Sequence, residues 1–506
     1  MSSKILSAAV IGLEAEIVEV EADVGGGDMG LIAIVGLPDA AVQESRERVR
    51  SAVKNSGFDF PKRKVTVNLA PADLKKHGPS YDLAIAVSVL VATNKIITVQ
   101  PLDKIIFLGE LALNGDLRSV NGVLSIAVHA KHKGINTLFV PPANAQEAKL
   151  VKELAVIPVK NLKELVEHLE GQNNISETPE SNFDFSNNKI IFDMAHIRGQ
   201  EHVKRAMEIA AAGAHNMLMS GPPGSGKTLI ARTMPSILPN LTLNEALEIT
   251  KLYSVAGLLP SGDALITSRP FRSPHHTASG VALVGGGAWP RPGEISLAHR
   301  GVLFLDEFAE FPRQVLENLR QPLEDGVINV SRAAGNLTFP AKFMMVAAMN
   351  PCPCGFYGDT GKKCICSPSQ IINYRKKISG PILDRIDLHI EVPRLDFEKL
   401  SSVAPGENSI AIKSRIEQAR EIQRQRFKSA NFITNSEMNS EAAKNFCQID
   451  SSSQQILKNA VEQLHLSARA YFRILKLART IADLEAVEQL SAKHVAEALQ
   501  YRPKIE

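Results

Sequence analysis

The chain has 506 residues, with 57 Lys and Arg against 54 Asp and Glu for a net charge of +3; 44% are hydrophobic and 22% charged. This is ordinary globular composition, long enough for several domains with their own cores. Four of the five cysteines fall between Cys352 and Cys366, which excludes a disulfide scaffold. No apolar run approaches the ~20 residues of a membrane-spanning helix, and the N-terminus lacks a signal-peptide pattern. The expectation is a soluble cytoplasmic protein with no membrane partner. The near-neutral balance excludes whole-surface attraction to nucleic acid and leaves that task to local basic groups.

In chain order, Val18, Val20, Ala22 and Val24 alternate with Glu19, Glu21 and Asp23, a half-buried strand pattern. Gly25-Gly26-Gly27 breaks the chain, and Leu31–Val35 reads as the returning strand. Residues 39–53 are helical and charged, 64–69 a strand, 81–92 a buried helix and 137–140 a short strand. The polar stretch 171–188 has little aliphatic surface and reads as a linker. Beyond it, 217–220, 302–305 and 344–349 are short apolar runs typical of buried parallel strands. From about residue 391 the pattern is helical, including 410–427 and 453–464. The expected division is 1–170, linker 171–188, 189–390 and 391–506, in the α/β class and without internal repeats.

Gly221, Pro222, Pro223, Gly224, Ser225, Gly226, Lys227 and Thr228 match G-x-x-x-x-G-K-[ST] between an apolar strand and a helix-like segment. Such a loop wraps backbone N–H groups around the phosphates of ATP at a helix N-terminus. Lys227 would neutralise β/γ-phosphate charge and the Thr228 hydroxyl would hold Mg²⁺. The strand Gly301–Leu305 ends in Asp306 and Glu307, placing Asp306 near the metal and Glu307 where it can orient or deprotonate water.

These segments resemble the AAA+ ATPases. In that resemblance Asn350, at the end of the third apolar run, takes the place of the first sensor. Leu383–Leu388 resembles the box carrying an arginine finger, which makes Arg385 the candidate acting on a neighbour's nucleotide; a local ion pair with Asp384 or Asp387 is the alternative. Ser467-Ala468-Arg469-Ala470 resembles the second sensor, with Arg473 as fallback. Phe271–Gly280 and Val284–Gly293 resemble the helix-2 insert of the magnesium-chelatase and replicative-helicase branches, and Gly326–Phe339 their pre-sensor hairpin. Arg332 near its tip is then a candidate DNA-phosphate contact in a ring pore, or else a solvated turn residue. His275 and His276 read as structural or capping.

Val35–Asp39, the His-His insert, Asn350–Gly355 and the tail 467–485 extend the likeness over nearly the whole chain. It resembles the ComM/YifB family of magnesium-chelatase-like competence proteins. That implies a homohexameric DNA helicase that promotes branch migration as incoming single strands are integrated. The alternatives are a chelatase-like motor that remodels a protein partner or inserts a metal, and an ATP-dependent protease. The last arises because Lys76–Ser80 resembles the serine segment of Lon-type proteases, whose domain is ribosomal S5 domain 2-like. Those enzymes pair the serine with a lysine base; here Leu124 stands at that position and the next lysine is Lys131. The N-terminal module is therefore expected to be Lon-like but proteolytically inactive, serving DNA binding or assembly. Lys62-Arg63-Lys64 and Lys75-Lys76 could touch phosphate or form a solvated edge.

Cys352-Pro353-Cys354 and Cys364-Ile365-Cys366 form two C-x-C pairs nine residues apart. Four thiolates at this spacing can close a tetrahedral Zn²⁺ site; four reduced thiols in a turn are the alternative. Cys447 reads as packing.

Overall fold

Strand patterning in the first 170 residues gives a seven-stranded mixed sheet. Its order is Ile32–Val35, Val65–Ala70, Glu14–Val24, Ser2–Ile11, Ile105–Phe107, Thr137–Val140, Ala155–Pro158. The computed structural model describes residues 2–25, 31–185, 191–260, 262–287, 290–332, 335–359, 361–394, 406–430, 432–463 and 466–503. They form two compact units, Met1–Asp184 with Ala246–Ile266, and Phe185–Glu245 with Thr267–Glu506.

In the first unit the alternation of residues 18–24 puts Val18, Val20 and Ala22 into the core. Both faces of the sheet are covered. Helices Ala40–Asn55, Asp82–Ala92 and Leu162–Leu169 share one core with Ile5 and Val20, and Val123–His132 shares the other with Leu6 and Ile106. Asp39 caps the first helix, accepting from the Val42 N–H at 2.8 Å. Ile32–Val35 is not the hairpin return. It pairs in parallel with Val65–Ala70, and that strand lies antiparallel beside Glu14–Val24. The fully buried Val65, Val67 and Leu69 take the interior place that the short Ile32–Val35 cannot fill.

Three further expectations change. The 171–188 stretch is docked as far as it is described: the Thr178 N–H donates to the Val156 carbonyl at 2.8 Å, covering the otherwise open edge of Ala155–Pro158. Residues 246–266, expected within the motor core, cluster with the N-terminal unit, where the Ser254 hydroxyl and carbonyl accept from the Gly122 N–H at 3.0 and 3.2 Å. Lys76 is not a phosphate contact; it is fully buried, with its ammonium donated to the Pro71 carbonyl. As for the protease pattern, Leu124 is buried with its N–H given to Glu147 at 2.9 Å, and Lys131 pairs with Glu153 at 3.3 Å.

The second unit is a five-stranded parallel sheet ordered Phe271–Arg272, Val302–Leu305, Met344–Met349, Met217–Ser220, Leu388–Glu391. Val302–Leu305 and Met344–Met349 are buried throughout, as continuous apolar runs in a parallel sheet require. The tail helices Ser409–Arg426 and Ala468–Leu484 share this core rather than building their own, through Ile412, Ile416, Ile474 and Ala478. Polar side chains of the tail satisfy orphan carbonyls at the end of helix Glu201–Gly213. Arg420 donates to Ala211 at 3.1 Å and Gln423 to Ala212 at 3.0 Å. Buried Asp483 accepts from Arg426 at 2.8 Å and from Arg479 at 3.0 Å.

Candidate nucleotide site

Because the central strands are parallel, their C-terminal ends share one edge, the usual place for a ligand in such sheets. Ser220 lies opposite Met349 and Leu305 opposite Ala347. The residues that follow each strand, Gly221, Asp306 and Asn350, therefore meet.

The phosphate loop needs its glycines for separate reasons. Gly224 and Gly226 have φ of 79° and 88°, in the left-handed region, and Gly226 caps helix Lys227–Ile237. A β-carbon at Gly221 would lie 2.2 Å from the Val392 carbonyl oxygen, so only glycine fits against that strand. Lys227 curls back, donating to the carbonyls of Gly221 at 2.7 Å and Pro222 at 2.9 Å, with Asn350 Oδ1 at 3.4 Å. Burial pulls its pKa below the usual lysine range, against the opposing charge of Asp306.

Thr228 donates its hydroxyl to Asp306 Oδ2 at 2.7 Å. Adjacent ligands of an octahedral Mg²⁺ lie about 2.9 Å apart, so this pair has the spacing to hold that ion. Among the described residues the buried Ser225 hydroxyl has no partner, an orphan donor suited to a phosphate oxygen. By donor set and shape the loop fits Mg²⁺ and a nucleoside triphosphate.

Glu307 sits at φ 52°, a strained setting for a non-glycine residue, and its N–H donates to Asp306 Oδ1 at 2.9 Å. Its carboxylate lies 2.8 Å from His276 Nδ1. Nothing in a motif marks this partner. The His-His segment is visible in the sequence, but its pairing with Glu307 depends on Phe271–Arg272 lying beside Val302–Leu305.

Arg385 and Arg469 form a second constellation. Both guanidinium groups bind one carboxylate, Glu324: Arg385 Nη2 bonds Oε2, and Arg469 Nη2 lies 2.8 Å from Oε1. Arg385 is buried and also donates to the Pro381 carbonyl at 2.7 Å. The local ion pair considered for it, with Asp384 or Asp387, is replaced by the pair with Glu324. Asp387 is taken by Arg473 at 2.9 Å and His215 at 3.5 Å. The three arginines line a cavity of about 660 Å³ whose described walls carry eight arginines and lysines against five carboxylates. Glu324 lies outside every motif, and only the fold reveals it.

The hairpin Val327–Arg332 and Gly335–Pro340 is antiparallel, with Arg332 opposite Gly335. The Arg332 side chain lies outside the described residues. The Cys352, Cys354, Cys364 and Cys366 sulfurs all lie within 4.8 Å of one another; Cys447 is buried apart from them.

Three family models match: magnesium chelatase subunit ChlI over residues 193–400, subunit ChlI of Mg-chelatase over 20–144, and the ChlI C-terminal region over 406–502. Competence protein ComM of Haemophilus influenzae is 44% identical, covering 99% of this chain and 97% of that protein. Uncharacterized protein YifB of Escherichia coli is 43% identical, over 98% and 96%. A Lon protease of Aster yellows witches'-broom phytoplasma matches at 28% identity over 148 residues, 27% of this chain and 18% of that one. Among the described residues no helix is long and apolar enough to cross a membrane. End-to-end similarity at this level settles membership: the chain belongs to the ComM/YifB family of magnesium-chelatase-like AAA+ ATPases.

Proposed function

We propose that this chain is a cytoplasmic ATP-driven motor acting as a homohexameric ring on single-stranded or branched DNA, with branch migration in natural transformation as its task. One observation carries the ring: Arg385 and Arg469 are both engaged by Glu324, while Lys227, Thr228, Asp306 and Asn350 bond among themselves. Among the described residues this set bonds no arginine; that of a neighbouring subunit completes it, as an arginine finger completes other phosphate-loop enzymes.

When bound, Mg²⁺ and ATP supply the phosphoanhydride and its counter-charge. The chain's residues then divide the work. Lys227 turns from its own carbonyls to the phosphates, Thr228 and Asp306 hold the ion, and Asn350 orients the lytic water. Glu307, steadied by His276, takes the proton from that water. Arg385 and Arg469 stabilise charge across the interface. Arg332, by its place in the hairpin sequence, is assigned the contact to DNA phosphate, one that a ring repeats. The four cysteines hold Zn²⁺. Similarity to a competence protein supports DNA as the substrate.

The N-terminal unit is read as a Lon-like module without protease activity, since Leu124 fills the lysine position. A chelatase-like motor acting on a protein partner is the second reading, favoured by the three magnesium-chelatase family models. Strand displacement and branch migration on a forked DNA distinguish the two. Wild type is expected to show ATP-dependent turnover and Glu307→Gln none; an inactive wild type with full ATPase activity would favour the protein-remodelling motor.

A further inference from the structure

The cysteine cluster adjoins the nucleotide site, and its geometry is specific. A tetrahedral Zn²⁺ at ~2.3 Å from each thiolate separates the sulfurs by about 3.8 Å. Here Cys352 Sγ lies 3.4 Å from Cys354 Sγ and 3.7 Å from Cys364 Sγ, with 3.6 Å between Cys354 and Cys364. These distances are far beyond the ~2.05 Å of a disulfide. Backbone N–H groups point at the sulfurs, from Cys354 to Cys366 Sγ and from Cys366 to Cys364 Sγ, both at 3.4 Å. Such donors stabilise thiolate charge in metal knuckles.

Three links run from this knuckle to the nucleotide site. Cys352, fully buried, follows Asn350 by two residues. Gly355, at φ 84°, closes the first C-x-C turn through its N–H to the Cys352 carbonyl at 3.0 Å. Its backbone presses on the phosphate loop: an added β-carbon would lie 2.6 Å from Pro223 Cδ and 3.8 Å from Asn350 Cγ. After Cys366, Ser367 caps helix Pro368–Arg375, and Lys377, just past that helix, donates to Glu310 at 2.9 Å, three residues past Glu307.

We propose that Cys352, Cys354, Cys364 and Cys366 bind one Zn²⁺ that forms a wall of the nucleotide site, so that zinc occupancy sets nucleotide affinity by fixing Pro223 and Asn350. This rests on the nucleotide reading above. Without the ion, four uncompensated sulfurs no longer hold the turn, Gly355 withdraws from Pro223, and the phosphate loop loses its outer support. A shift of about 1 Å in such a loop costs up to a hundredfold in function.

The test measures metal content by mass spectrometry and affinity for a fluorescent ATP analogue on the full chain. Wild type is expected to carry one zinc per chain. Cys354→Ser and Cys364→Ser are expected to lose it and to bind the analogue at least tenfold more weakly. Gly355→Ala should keep zinc and still bind more weakly, whereas Lys227→Ala should keep zinc and lose binding. If the cysteine variants misfold, wild type treated with a zinc-selective chelator in excess Mg²⁺ gives the same readout, and added Zn²⁺ should restore affinity. Zinc-free protein with wild-type affinity overturns the proposal, as does iron or no metal in the wild type. A zinc-replete wild type that binds no nucleotide overturns instead the nucleotide reading, and the coupling with it.

Discussion

In the phosphate-loop pocket, the functional side chains follow the ends of adjacent parallel strands, and the sheet register brings them together. In the arginine cavity, Arg385, Arg469 and Glu324 come from three separate segments joined only by the packing of the tail helices on the core. In the first site Lys227 and Thr228 each find a partner within the set. The second holds excess positive charge, and two of its arginines share a single carboxylate. On the function proposed above, the first site binds nucleotide within one chain and the second offers its charge to a neighbour.

The largest effects should separate the two regions by binding against turnover. Lys227→Ala should abolish nucleotide binding. Arg385→Ala should leave binding intact and lower ATP hydrolysis by about a thousandfold, measured by equilibrium binding beside steady-state ATPase. If Arg385→Ala weakens binding as much as Lys227→Ala, the division between the regions fails. Glu307→Gln should bind nucleotide normally and hydrolyse it at least about a hundredfold more slowly. His276→Ala should give a smaller loss in the same direction, since its contact steadies the carboxylate.

Stability effects should rank the other way, larger in the cavity. Buried Asp387 resists the upward push of burial because Arg473, His215 and Arg502 hold its carboxyl well below the usual range. A depressed folded pKa means that its contribution is complete above about pH 4 and is lost as pH falls toward the lower folded value. Asp387→Ala should cost about 3–5 kcal/mol near neutral pH by leaving Arg473 unpaired, read by denaturant unfolding, and should flatten the acid limb of the stability profile. The smallest effect belongs to Glu324→Gln. Glu324 is 44% exposed, so its ion pairs should contribute within about 1 kcal/mol, and hydrolysis should change by less than tenfold.

The sequence carries the first region almost entirely. A phosphate loop, an Asp-Glu strand end and a polar residue after a third strand are local patterns, and parallel pairing converts local patterns into a common edge. The second region is only half visible. Arg385 and Arg469 stand out by resemblance and Asp387 as an acid beside Arg385, but Glu324 is an ordinary surface-type residue until the tail brings Arg469 to it. Likewise His276 reads as structural or capping until Phe271–Arg272 joins the sheet beside Val302–Leu305. The N-terminal sheet illustrates a different limit. Glycines after Val24 suggest a hairpin, yet strand order depended on burial of Val65, Val67 and Leu69, which periodicity alone does not rank. The docked stretch around Thr178 escaped because a single backbone bond to a sheet edge needs no apolar side chain.

Subunit mixing decides whether Arg385 acts on a neighbouring chain's nucleotide. Lys227→Ala chains carry an intact Arg385 but bind no nucleotide, and Arg385→Ala chains bind nucleotide but lack the arginine. Each alone should be inactive. Mixed and assembled in equal amounts, they should regain a clear fraction of wild-type ATPase activity, because Arg385 of one chain completes the pocket of the next. Activity that stays at background across all mixing ratios, with mixed rings shown to form, would mean that Arg385 does not complete a neighbour's pocket.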